Sequence, residues 1–565
     1  MRKPPSVDTI AVLALVCVAA FFRFYRLHEV PIGLWRDEAA NGLEALNVLG
    51  GAHAIFFGTR EPMFIYLVAV SVAFLGRNAL AIRIVAAILG TITIPVAYVL
   101  VRELFRSTDQ ESRPIACLTS VWLATSYWHL NFSRLGFRGI LLPLLSSSCF
   151  YFFWRGWNEL DDTHQTASSG QRHRLVWFGL AGVFLGLTMY TYTPGRLLPL
   201  VVLPFAGLIA ASRRRKGSPR RRAHDAHPDS TPPLTAVAVF AIAFLLVFAP
   251  LGMYFLSDSG SFFVRSGVSV FSAPRAEPMA VVLIKNTLRQ LGMFGFLADP
   301  NTRHDPAGRP AFDLLTLLFF LIGFAVSLRR WRQLPYVFSV AWFLVMLLPA
   351  ILTYPELPHF LRAIGALPVA YVFPALGLHR AWLWIGARWA SHKARSALAA
   401  LIALCFILVG LLTYRDYFNP AVEEIELIKA FDPRFVKAAS IMNQLDEPHS
   451  VWIIPLGPRG EQRMAYYVID FLYQGKAPHH YVKADEATVA QQVSEICRGK
   501  QRAMVLRTTE EYAVQPWFDL YVDSSGLILS LLDRYAQRLE SVQVDGFEVI
   551  AYQLPTEPIL SIRTR

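Results

Sequence analysis

The sequence predicts a polytopic α-helical membrane protein that carries a soluble α/β domain at its C-terminal end. Three observations predict it. Apolar runs long enough to cross a bilayer recur as far as residue 414, and each crossing needs only about 20 residues. Arginine-rich loops alternate with poorer ones along that stretch, as the positive-inside rule requires. Beyond it, short β-branched runs alternate with amphipathic helical stretches.

Composition removes the main competing classes. A formal charge of +13 would point to nucleic acid in a soluble protein, but the basic residues lie between apolar runs, so no nucleic-acid partner is expected. Of the five cysteines, Cys17, Cys117, Cys149 and Cys405 fall in apolar runs and Cys497 stands alone, which is neither a disulfide framework nor a metal spacing.

The first span is expected over 8–27. It is read as a retained helix and not a cleaved signal peptide, because no small-x-small cleavage site follows and Arg23, Phe24, Tyr25 and Arg26 form an interfacial end. Further spans are expected over 83–101, 114–132, 139–154, 175–193, 197–211, 235–256, 312–328, 335–352, 363–380 and 397–414. Three groups set the inside face first: Arg102, Arg106 and Arg113; Arg155, Arg172 and Arg174; and the run Arg213, Arg214, Arg215, Lys216, Arg220, Arg221 and Arg222. Arg329, Arg330 and Arg332 continue it, followed by Arg388, Lys393 and Arg395.

Residues 62–76 are apolar enough to insert, yet a crossing there would move every downstream basic loop outside. They are therefore read as a membrane-embedded or interfacial helix that does not cross. The count is then about eleven crossings, or about twelve if 62–76 crosses, with an inside N-terminus and an outside C-terminus. Residues 1–414 form the membrane domain, with outer segments at 28–61 and 257–311. Residues 415–565 form the soluble domain, outside the inner (plasma) membrane of a bacterial-type cell. In it 452–456, 503–508 and 547–554 read as strands, and 463–473 and 527–539 as helices, without a nucleotide-binding glycine fingerprint or a nucleophile elbow.

The informative residues break the membrane rules. Outer loops should be poor in arginine, yet Arg36, Arg60, Arg134, Arg138, Arg196 and Arg362 fall in them, and Arg83 opens the next span. A guanidinium fork fits a phosphate, so the set suggests a bound lipid phosphate or pyrophosphate; salt bridges and headgroup contacts are the plainer reading for any one of them. Asp37 and Glu38 open an amphipathic stretch on the same side. A carboxylate there could accept a proton from an attacking hydroxyl, or simply complement a helix N-terminus. Tyr190, Tyr192 and Arg196 in MYTYTPGR are candidate sugar or phosphate contacts, or an aromatic belt. His304, His359 and Arg362 are candidate sugar or acceptor contacts. A divalent metal is possible at Glu61, His304 and His359 only if the fold gathers them.

Taken in order, four stretches resemble one family. WRDEAANGLEA is similar to an acidic motif in the first outer loop, REPMFIYL to a basic-proline motif, and AIRIVAAILGTITIPVAYVLVRELF to an Arg-led second span. FSRLGFRGILLPLL and MYTYTPGRLLP resemble the next two outer turns, and PHFLRAIGALP extends the likeness toward residue 370. Together they resemble the bacterial branch of the protein O-mannosyltransferase and aminoarabinose transferase group, membrane glycosyltransferases of the GT-C fold. Two departures stand out: relatives carry an aspartate near Arg138-Gly139, and their Lys-Pro-Pro or His-Pro-Pro reads Arg60-Glu61-Pro62 here.

The resemblance implies a polyprenyl-phosphate-linked sugar as donor, a hydroxyl acceptor, membrane lipids as surroundings and an inverting displacement, with no required cofactor. Asp37, helped by Glu38, would act as base, and Arg60, Arg83, Arg134, Arg138 and Arg196 would bind the donor phosphate. The rival classes are a lipid-linked-glycan flippase or transporter, which predicts charges near the bilayer midplane, and an oligosaccharide ligase.

Overall fold

A computed structural model describes residues 7–161, 168–215, 233–263, 269–272, 277–354, 356–388, 391–420, 424–431, 433–456, 466–483, 488–508 and 526–556. Lys216, Arg220, Arg221 and Arg222 of the basic run, and 463–465 of the helix expected over 463–473, lie outside them. The chain divides into two compact units. One is Met1–Val30, Glu44–Phe74 and Leu80–Glu423; the other is Pro31–Leu43, Leu75–Ala79 and Glu424–Arg565. The boundary expected at 415 falls inside a helix that runs on to Phe418, and the two short recruits to the second unit carry no mark in composition.

The first unit is helical. Its elements are α1 (Val7–Phe24), α2 (Arg36–Leu49, whose first residues group with the second unit), α3 (Met63–Leu75), α4 (Ala79–Leu104), α5 (Asp109–Thr125), α6 (Tyr127–Arg134), α7 (Leu141–Asp161), α8 (Ser168–Thr188) and α9 (Leu198–Arg215). There follow α10 (Pro233–Ser257), α11 (Ser259–Phe263), α12 (Met279–Gly292), α13 (Leu314–Arg329), α14 (Leu334–Ile351), α15 (Leu367–Ala370), α16 (Val372–Arg388) and α17 (His392–Phe418). Among the described residues, Ala79–Leu104, Leu234–Ser257, Leu334–Ile351 and His392–Phe418 are long and apolar enough to cross a membrane, and Met63–Leu75, Thr193–Leu208 and Leu314–Arg329 are shorter apolar helices. At 13 residues, α3 is about 20 Å long, short of the ~30 Å hydrocarbon core.

Water does not drive these helices together, so their contacts rest on close backbone approach. A Cβ on Gly323 of α13 would collide with the Phe373 carbonyl of α16, and one on Gly377 of α16 with the Phe319 carbonyl of α13. Gly182 and Gly186, one turn apart on α8, admit α10 in the same way at Phe240 and Val247. Elsewhere α10 and α17 are only 17% buried and present Leu246, Leu256, Leu404 and Ile407, a surface suited to lipid.

The span expected over 114–132 is broken. Ser126 adopts an extended backbone, and its hydroxyl accepts from His129 N at 2.9 Å, starting α6 as a new helix. One end of the bundle gathers basic groups that the sequence assigned to the inner loops, each meeting a carboxylate: Arg102 and Arg113 with Asp8, Arg106 and Arg155 with Glu103, and Arg330 with Glu111.

The second unit is an α/β sandwich. Its strands are β1 (Ser450–Leu456), β2 (His479–Lys483), β3 (Arg502–Thr508), β4 (Gln537–Val544) and β5 (Phe547–Gln553), in spatial order β2-β1-β3-β5-β4. The first three are parallel, and β3–β5 and β4–β5 antiparallel. Its helices are α18 (Glu424–Phe431), α19 (Pro433–Gln444), α20 (Tyr467–Leu472), α21 (Val489–Cys497) and α22 (Leu527–Tyr535). Val489, Val493 and Cys497 recur every fourth residue on α21, as do Ile528 and Leu532 on α22, and both stripes close on Val451, Ile453, Val505 and Ile550. The helix expected over 527–539 stops at Tyr535; 537–539 instead open β4, paired to β5 across the Asp545-Gly546 turn with both residues at positive φ.

Candidate functional site

At the opposite end of the first unit, the C-terminus of α1 is closed by two buried arginines. Arg23 donates to the carbonyls of Ala19 and Ala124 at 3.1 Å each and to His129 Nδ1 at 2.8 Å. Arg134 donates to the carbonyls of Phe22 (2.9 Å), Arg23 (3.0 Å) and Val30 (2.8 Å), and its guanidinium lies over the rings of Tyr417 and Phe418. A helix C-terminus presents unsatisfied carbonyls, which cations satisfy. Arg134, expected to bind phosphate, has both Nη atoms on backbone carbonyls and a fully buried side chain, while among the described residues its buried Nε has no hydrogen-bond partner. Arg83, also fully buried, lies close enough to Arg134 for their charges to oppose.

A second cluster forms around Glu61. Its Oε2 accepts from Arg138 Nε at 2.8 Å, and its Oε1 accepts from Thr193 Oγ1 at 3.0 Å and Arg196 Nη2 at 3.5 Å. The η2 helical turn that brings in Arg138 and the TPGRL turn that brings in Arg196 both begin from extended residues, Phe137 and Tyr192. Tyr192 is buried with Arg138 5.6 Å from its ring centroid, while Arg196 sits between Phe255 and Phe262 at 4.8 Å from each. Two guanidiniums share the Glu61 carboxylate, and among the described residues the buried Arg138 Nη2 has no hydrogen-bond partner. Such a donor costs ~1–3 kcal/mol unless an acceptor arrives. The hydroxyl of Tyr190, a candidate sugar contact, donates to Val247 O (2.8 Å) and accepts from Leu251 N (3.3 Å), so it fastens α10. Arg60 is partly exposed, bridged through its backbone to Phe57.

The loops before α13 and α15 are knit together by α6. Tyr127 donates to Asp305 (2.8 Å), Trp128 to Phe360 O (3.2 Å) and Asn131 to His304 O (2.6 Å). Burial pushes Asp305 up to about 6, against hydrogen bonds from Tyr127 and Arg309 N that favour its charge. Here His304 and His359 do meet, with ring centroids 4.7 Å apart. Their third partner is Asp299, not Glu61, and the three offer ligand atoms within 4.8 Å of one another. The sequence missed Asp299 because nothing in its spacing separates it from an ordinary loop acid.

Whether this trio suits a metal follows from its hydrogen bonds. Asp299 Oδ1 accepts from Asn301 N (2.9 Å), and Oδ2 accepts from Phe360 N (2.7 Å) and His304 Nδ1 (3.2 Å). His359 Nδ1 accepts from Arg362 N at 3.2 Å, which leaves the ring proton on Nε2, and burial keeps that ring neutral. The Nδ1 bonds orient both rings and leave the trio a candidate divalent-metal group; no chemistry is derived through a metal.

The acidic pair belongs to the second unit. Asp37 is half-buried in the first turn of α2. Glu38 is fully buried and its Oε2 accepts from Trp35 N at 3.2 Å, the reach-back of an N3 glutamate to its helix cap. Glu38, expected to help Asp37, thus caps α2 through that oxygen.

Residues 59–220 match the model of a family described as dolichyl-phosphate-mannose-protein mannosyltransferase. No curated protein matches the sequence. Among solved structures the fold is similar to that of ArnT from Cupriavidus metallidurans bound to undecaprenyl phosphate, at 14% identity and TM-score 0.53 over 96% of this chain and 97% of that one. It is also similar to the Archaeoglobus fulgidus oligosaccharyltransferase in complex with Zn and sulfate (14%, TM-score 0.51, 96% of this chain and 74% of that one). The same enzyme tethered to an acceptor peptide containing the NVT sequon gives 14%, TM-score 0.52, 97% and 74%. The chain has the GT-C fold of a multi-pass membrane protein with a C-terminal sheet domain.

Proposed function

We propose that this GT-C chain is an inverting glycosyltransferase that moves a sugar from a polyprenyl-phosphate carrier to a hydroxyl acceptor at the outer face of a bacterial-type inner membrane. The observation that carries it is the Glu61 cluster. Arg138 and Arg196 both lie against the buried Glu61 carboxylate, and among the described residues the buried Arg138 Nη2 has no hydrogen-bond partner. A phosphate oxygen satisfies that donor.

In the reaction, the acceptor oxygen bonds to the anomeric carbon as the bond from that carbon to the phosphate oxygen breaks. The acceptor proton passes to Asp37, and the carrier leaves as polyprenyl phosphate with an added negative charge. Arg138 and Arg196, with Arg60 and Arg83, stabilise that charge as it develops. Tyr192 orients Arg138 through its ring, and Arg362, His304 and His359 line the acceptor side. The ArnT structure bound to undecaprenyl phosphate supports a carrier of this type, and the family match over 59–220 supports mannose-like chemistry.

The test is transfer in proteoliposomes from mannosyl-, arabinosyl- and aminoarabinosyl-phosphopolyprenol, read as free polyprenyl phosphate plus glycoside. Asp37→Asn is expected to lower kcat by about 100-fold or more. Folded wild-type protein that moves these lipids between leaflets without cleaving them would make it a flippase.

A further inference from the structure

We propose that the C-terminal unit is a positioning element for the acidic turn, gripping it at both ends so that Asp37 is held at a fixed place. The inference rests on the reading of Asp37 as base.

The grip is visible at two glycines that flank the pair. Gly33 has φ +69, and a Cβ there would meet the Phe431 carbonyl and Pro433, at the joint between α18 and α19. Gly42 lies one turn beyond the acidic residues, and a Cβ there would fall 2.6 Å from the fully buried ring of Phe471 on α20. Between these points stand Trp35, Asp37 and Glu38, with Glu38 closing the helix cap. Backbone against backbone and backbone against a buried ring leave no side-chain rotamers to absorb a shift.

The gripping helix is itself anchored. Arg77, in the short segment that leads into the helix of Arg83, donates from Nε to Phe471 O at 2.9 Å and from Nη2 to Asp470 O at 2.7 Å. Gln474 returns a bond to Arg77 O at 3.3 Å. These bonds satisfy carbonyls at the C-terminal end of α20. So α20, only six residues long, fastens both the segment bearing Asp37 and the segment before α4. A tail that merely bound an acceptor would need neither contact. A base that must meet a hydroxyl does, because a misplacement of about 1 Å can cost about 100-fold in rate. Phe471 and Arg77 are thus positioning residues.

The experiment compares full-length wild type, Asp37→Asn, Gly42→Ala, Gly42→Ala/Phe471→Leu and Arg77→Ala in the proteoliposome transfer assay, separating kcat from donor KM. Gly42→Ala is expected to lower kcat about 10- to 100-fold with donor KM changed less than about 2-fold. Phe471→Leu removes the ring edge that the new methyl meets, so the double variant recovers most of the loss, a non-additivity that general destabilisation does not give. Gly42→Ala at wild-type kcat, or a loss that the double variant deepens, overturns the proposal. If Gly42→Ala does not fold, Arg77→Ala decides: a kcat loss supports the grip and an unchanged kcat overturns it. Asp37→Asn at wild-type kcat is a different result, since it removes the base reading itself.

Discussion

Glu61 and Arg138 meet at 2.8 Å with 1% and 2% of their side chains exposed, and the second carboxylate oxygen reaches Arg196. The two substitutions that break this pair should behave differently. Arg138→Ala leaves the buried Glu61 carboxylate with only its Thr193 and longer Arg196 contacts and should cost up to about 3–5 kcal/mol, seen as a fall in melting temperature in detergent. Glu61→Gln keeps an acceptor for Arg138 but removes the offsetting charge. It should leave the fold nearly intact and tighten binding of polyprenyl phosphate, measured by equilibrium binding.

Arg134→Ala should act on stability alone. It removes two hydrogen bonds to carbonyls at the end of α1 and a third to Val30 O, so the melting temperature should drop while the folded fraction keeps its donor KM. Arg83→Ala, in contrast, is expected to raise donor KM. A donor KM raised by Arg134→Ala would return that residue to the phosphate site.

Gly323→Ala and Gly377→Ala each place a methyl group against the backbone of the facing helix. The sheared α13–α16 contact should lower the yield of monodisperse protein in size-exclusion chromatography. An alanine at Gly386, where nothing stands within 4 Å, should be neutral.

Asp305 supplies a pH dependence. Its carboxyl sits at about 6 in the fold against about 3.9 in an unfolded chain, so the folded form holds its proton more tightly. The sign follows: this contribution to stability is complete below about pH 4 and is lost as pH rises through about 6. Melting temperature should fall between those values in the wild type, and the slope should shrink in Asp305→Asn.

Much of this was legible in the sequence because hydrophobic length is a physical requirement of the bilayer. Each expected span falls on helical segments, and two are split: the one over 114–132 at a serine whose cap competes with helix continuation, and the one over 363–380 at Tyr371, between α15 and α16. The arginine groupings were legible as types but not as partners. Arg134 and Arg138 sit four residues apart in the sequence, yet one closes a helix end and the other meets a carboxylate 77 positions earlier. Burial and long-range pairing decide such roles, and neither leaves a local pattern. Arg23 illustrates the reverse case: it reads as an interfacial end of the first span, although the fold buries it completely. In the tail, 537–539 continued an amphipathic helical pattern that strand pairing overrode.

The bonds from Arg77 to Asp470 and Phe471 join residues 393 and 394 positions apart. A growing chain therefore emerges with its acidic turn made but unsecured, and most of the remaining polypeptide must be synthesised before α20 exists to receive it. Prematurely terminated products would carry the arginine cluster and the membrane helices yet lack a seated acid. With Asp37 as the proposed base, transfer would wait on the synthesis of α20.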